Sequence, residues 1–88
     1  MLTVHSQDGK HFLGLRRDRT GAYQIVYEGG MRPKRLIWHI TNQNVDERVL
    51  SRCLHHAVNS SATLDTLRAR LDRAKIAYEL DVGSATFG

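Results

Sequence analysis

The hydrophobic period of this chain changes twice, and that change limits the folds open to it more than any other feature. Up to Thr41 apolar residues recur at every second position, from Val45 to Ala74 at every third or fourth, and from Ile76 to Val82 at every second again. Successive side chains alternate across a strand, whereas a helix returns to the same face after three or four residues. The order implied is strands, then helices, then one strand.

Three runs carry the first alternation. Leu13 and Leu15 share a face in 11–16, Tyr23, Ile25 and Tyr27 in 22–28, and Leu36, Trp38 and Ile40 in 35–41. Gly9, Gly21 and Gly29-Gly30 punctuate them at the spacing of turns between short strands. Arg17-Asp18-Arg19-Thr20-Gly21 suits a hairpin loop closing on glycine, and Pro33 suits a strand start, because it has no N–H to pair. Residues 2–5 add a short edge strand. Next, Val45, Val49, Cys53 and Ala57, flanked by Leu50, Leu54 and Val58, form an apolar helical stripe. Asn44 is its expected N-cap, with Glu47 three positions on. Asn59-Ser60-Ser61 separates it from a second stripe, Leu64, Leu67, Leu71 and Ala74. Ile76, Tyr78, Leu80 and Val82 then alternate as a returning strand, and 83–88 is expected to be a loose tail. The predicted fold class is α+β: an antiparallel three- or four-stranded meander, two helices on one face of the sheet, and a C-terminal strand, in a single domain spanning 1–88.

Charge is distributed unevenly along this plan. Residues 1–38 hold seven Lys/Arg against three Asp/Glu, a net of 7 − 3 = +4, whereas residues 39–88 hold six of each. The alternation that turns Leu13, Leu15, Tyr23, Ile25, Tyr27, Leu36, Trp38 and Ile40 inward turns Arg16, Gln24, Val26, Arg35, Ile37 and His39 outward. Arg17, Arg19, Arg32 and Lys34 are assigned to loops. A basic sheet with basic turns attracts polyanions or acidic protein surfaces. Arginine outnumbers lysine five to two in this half, which favours bidentate or stacked contacts. The competing explanation is solubility, because cations on an exposed sheet also discourage edge pairing. At the level of layout alone, a strand-rich basic half followed by a helix is similar to three-stranded DNA-binding modules that insert a sheet into the major groove. No motif of such a module is matched, and no residue role is carried over.

Chemistry-bearing motifs are scarce. The single cysteine, Cys53, allows no internal disulfide, and no apolar run approaches the roughly 20 residues of a membrane span. The first residues are too polar for a signal peptide, so a cytoplasmic location is expected. Cys53, His55 and His56 lack the paired spacing of a zinc site, and Cys53 falls in an apolar stripe, so it reads as a small buried hydrophobe. Tyr23, Tyr27 and Trp38 fall on the core side of their strands, where packing explains them better than base stacking. No phosphate loop, dinucleotide fingerprint or nucleophile elbow is present. The expectation is a non-enzymatic protein, without cofactor or metal, that contacts nucleic acid through Arg16, Arg17, Arg19, Gln24, Arg32, Lys34, Arg35 and His39. The alternative is a small inhibitor or adaptor that docks on an acidic protein surface, or a homodimer joined through the outward apolar residues.

Overall fold

A computed structural model describes residues 2–29 and 34–83. Five strands, β1 (Leu2–His5), β2 (His11–Arg17), β3 (Tyr23–Gly29), β4 (Lys34–Ile40) and β5 (Tyr78–Gly83), form one antiparallel sheet in the order β1-β2-β3-β4-β5. Helices α1 (Glu47–Val58) and α2 (Thr63–Arg73) lie in sequence between β4 and β5. The expected α+β class is therefore present, with the short first strand included. The expectations for Pro33 and for 84–88 lie outside the described residues, whereas Gly83, expected in the loose tail, is the last residue of β5, paired with Arg35 of β4.

The predicted alternation sets the faces. Leu13, Leu15, Ile25, Leu36, Trp38 and Ile40 are buried on one side of the sheet, against Leu50, Cys53, Leu54, Ala57 and Val58 of α1 and Leu67 and Leu71 of α2. Full burial of a leucine or isoleucine contributes roughly 1.5–3 kcal/mol. Leu13, Ile25, Leu50, Leu54, Leu67 and Leu71 are all fully buried, so each of the two layers anchors the other. The second sheet face carries no helix, as antiparallel sheets permit.

Turn chemistry follows local side chains. Asp18 Oδ1 accepts from the Thr20 and Ala22 backbone N–H groups at 2.8 and 3.1 Å, while Gly21 supplies the positive φ of 87° that closes the β2–β3 hairpin. The N-cap of α1 differs from expectation. Asp46, not Asn44, accepts from the Arg48 N–H at 2.9 Å. Asparagine and aspartate cap equally well, but Asn44 adopts φ 60°, a left-handed turn that asparagine tolerates, and the helix starts later.

Two polar links fix the helices to the sheet. His11 Nε2 lies 2.8 Å from the Val58 carbonyl oxygen, so this nitrogen carries the proton, and it also lies 3.1 Å from Thr63 Oγ1. One ring on β2 thus meets the end of α1 and the start of α2. At the other end, the Asn42 amide donates to the Lys75 carbonyl at 3.3 Å and accepts from the Ala77 N–H at 2.6 Å, beside a Thr41 N–H to Ala77 carbonyl bond of 3.0 Å. Among the described residues, no helix is long and apolar enough to cross a membrane.

Candidate functional site

Register places the predicted contact residues on two different surfaces. On the open sheet face Arg16 stands opposite Gln24, and Gln24 opposite His39. Arg16 Nε donates to Gln24 Oε1 at 2.8 Å, and the Gln24 amide nitrogen lies 3.2 Å from His39 Nδ1. An amide nitrogen only donates, so Nδ1 accepts and the ring proton sits on Nε2, which faces Asp81 Oδ2 at 3.8 Å. Arg35 shares this face, with Nε 3.4 Å from Glu28 Oε1 but without hydrogen-bond alignment. The cations here are therefore engaged: Arg16 by an amide and Arg35 by a carboxylate.

Between these two groups runs the cross-strand row Gly14, Val26 and Ile37. Val26 is only 6% exposed although no helix covers it.

Arg17 lies elsewhere. It belongs to β2 rather than to the loop and stands opposite Tyr23, whose ring neighbours the core cluster on the helix side. The Arg17 guanidinium lies over that ring, Cζ 4.5 Å from the centroid, and donates to the Tyr23 hydroxyl at 2.5 Å. The hydroxyl donates in turn to Glu47 Oε1 at 3.4 Å, joining β3 to the first turn of α1. Arg19 is exposed on the β2–β3 turn. Arg32 lies outside the described residues, and Lys34 belongs to β4 rather than to a loop, its backbone opposite Gly29.

Arg17 faces a group of residues that sequence reasoning missed. Arg48, Ser51, Arg52 and His55 follow helical spacing along one side of α1 and, with Arg16, Arg17, Tyr23 and Glu47, line a cleft of about 920 Å³ between β2 and α1. Leu2 and Leu15 supply its apolar part. Arg17, Arg48 and Arg52 bring three guanidinium groups to this cleft, Arg16 borders it from the open face where Gln24 holds its Nε, and Glu47 is the one carboxylate among the lining residues. Asp46 stands beside it, with Oδ2 3.3 Å from Arg48 Nη2. Arg48 Nε also donates to Asp46 Oδ1 at 3.4 Å, but its side chain is 85% exposed, so water screens the pair and an incoming phosphate can compete for the guanidinium. His55 Nδ1 lies 2.8 Å from the Ser51 carbonyl oxygen, which requires the proton on Nδ1 and leaves an acceptor lone pair on Nε2 of the neutral ring.

Burial pushes the Cys53 thiol up from its ordinary range, against the weaker opposing pull of Arg70 and Arg52. A raised thiol is a poor nucleophile. Among the described residues, no three His, Cys, Asp or Glu side chains gather in a way that could hold a metal ion.

The fold and the cleft together define a two-layer α+β domain with a basic recess where its layers meet. Compared with protein-family models, curated proteins and solved structures, the chain matches none of them.

Proposed function

We propose that this is a non-enzymatic nucleic-acid-binding domain whose main phosphate contacts come from the cleft between β2 and α1. One observation carries the reading: Arg17 from the sheet and Arg48 and Arg52 from the helix converge on a single recess lined by only one carboxylate. Guanidinium groups suit this task because their planar fork matches phosphate oxygens and stays charged at all physiological pH. Arg19, on the adjoining turn, extends the same positive field. The open sheet face, with Arg16, Gln24, Arg35 and His39, takes a secondary part, because its polar groups already hold one another. The reading also places the protein in the cytoplasm, where nucleic acid is at hand and the lone thiol stays reduced.

Anisotropy titrations of labelled oligonucleotides across a salt series test it. Phosphate contacts release counterions, so log K should fall linearly with log salt. Arg48→Glu with Arg52→Glu should weaken binding at least tenfold, and Arg35→Glu much less. No salt-dependent binding at low ionic strength overturns the proposal. A larger loss from Arg35→Glu than from the α1 pair moves the contact to the sheet face.

A second reading rests on Ile37, half-buried on the open sheet face between two groups of paired charges. An apolar residue flanked by polar groups is the pattern of a protein contact, and it supports an inhibitor or adaptor that docks by that face. Ile37→Lys should then abolish partner capture while leaving oligonucleotide binding intact.

A further inference from the structure

Resting on the nucleic-acid reading above, we infer that the cleft is built for a single strand, with a base on the Arg17 guanidinium that Tyr23 supports and the flanking phosphates on Arg48 and Arg52. Three observations point this way. The first is size: about 920 Å³ between a strand and a helix is the scale of a small-ligand site. It admits one or two nucleotides, whereas a double helix reaches only the rim.

The second is the wall chemistry. A site for bare phosphate would be polar throughout, but here Leu2 and Leu15 lie beside the arginines. An apolar surface next to cations suits a nucleotide, which is greasy on the base faces and anionic along the backbone. The third is the Arg17–Tyr23 pair. Its guanidinium lies over the ring at 4.5 Å and is held there by the Tyr23 hydroxyl. Unstacked bases stack on tyrosine rings and guanidinium planes, and in a duplex those base faces are already occupied. The Tyr23–Glu47 contact ties this platform to α1, so it is held in place before a ligand arrives. Arg48 and Arg52, one turn apart, stand about 5–6 Å from each other at Cβ and can take phosphates on either side of the docked base. His55 Nε2 offers an acceptor to a base N–H or a sugar hydroxyl.

The test uses the full chain with a labelled 12-nucleotide single strand, the same sequence as a duplex, and heparin as a base-free polyanion competitor, all at one fixed salt. The single strand should bind at least tenfold tighter than the duplex. Tyr23→Leu should weaken the single strand about tenfold and leave the duplex unchanged. Arg17→Lys preserves the charge, disturbs the packing less and removes the planar group. It should cost the single strand several-fold at an unchanged salt slope. Equal or tighter duplex binding, equal losses for both forms in both variants, or displacement by heparin at an equal concentration of anionic groups overturns the single-strand inference while leaving nucleic-acid binding standing. Absence of binding to either form removes both.

Discussion

Gly29 faces His11 across the β2–β3 ladder so closely that a Cβ on Gly29 would overlap His11 Cβ and lie 2.8 Å from its Cα. Gly29 also adopts φ 158°, at the margin of what side chains accept. The same histidine reaches Val58 and Thr63 with its ring, so crowding at Gly29 would press on the residue that seats both helices.

Gly29→Ala should therefore destabilise the domain by about 1–3 kcal/mol through overpacking, read as a lower urea midpoint at an unchanged slope. Gly21→Ala is the comparison. Its Cβ meets nothing within 4 Å, so it carries only the strain of a positive φ. Equal losses at the two sites would show that His11 has room to move.

Acid should weaken the domain through three aspartates at turns and a helix start. The Asp8 carboxyl is held below its ordinary range first by the Ser6 hydroxyl, Asp18 first by the Thr20 hydroxyl, and Asp46 first by the Arg48 N–H. A depressed folded-state pKa adds stability above the unfolded value of about 3.9, and that stability is lost as pH falls through the lower folded value. Thermal midpoints should thus be level near neutrality and drop below about pH 4. Asp18→Asn should lower the midpoint at pH 7, and its gap from the parent should close at low pH. A gap that widens on acidification contradicts this assignment.

Cys53 should resist thiol reagents. Its side chain is buried in the α1 stripe and its thiol is raised by that burial. Ellman's reagent at pH 8 should label the native protein far more slowly than the urea-unfolded chain. Native labelling as fast as unfolded labelling would mean that α1 lifts readily from the sheet.

Period alone located the strands and helices. The alternation of Leu13, Leu15, Ile25, Leu36 and Trp38 is local information, and burial of one face makes a one-residue slip costly, so register follows from it. The start of α1 was less legible because Asn44 and Asp46 are equivalent caps, and only the backbone at Asn44 separates them.

The cleft was not legible, for a different reason. Arg48, Ser51, Arg52 and His55 show their common helix side by spacing, but nothing local says that Arg17 stands across from them. Summing charge over residues 39–88 to zero concealed this, because two of that segment's six cations line the cleft while Asp65, Asp72, Glu79 and Asp81 are not among its lining residues. Assigning Arg17 to a loop had the same effect. One more residue of strand turned it toward the helices.

The Asn42 amide holds Lys75 and Ala77 where β4 ends and β5 is about to begin, so the chain leaves the meander and rejoins it at one pinched neck. Everything from 43 to 74 is in that sense a cassette spliced into a ladder that would otherwise turn directly from β4 to β5. Evolution can lengthen or recharge such a cassette without disturbing strand register, and the α1 half of the cleft can diversify while the Arg17 half stays fixed.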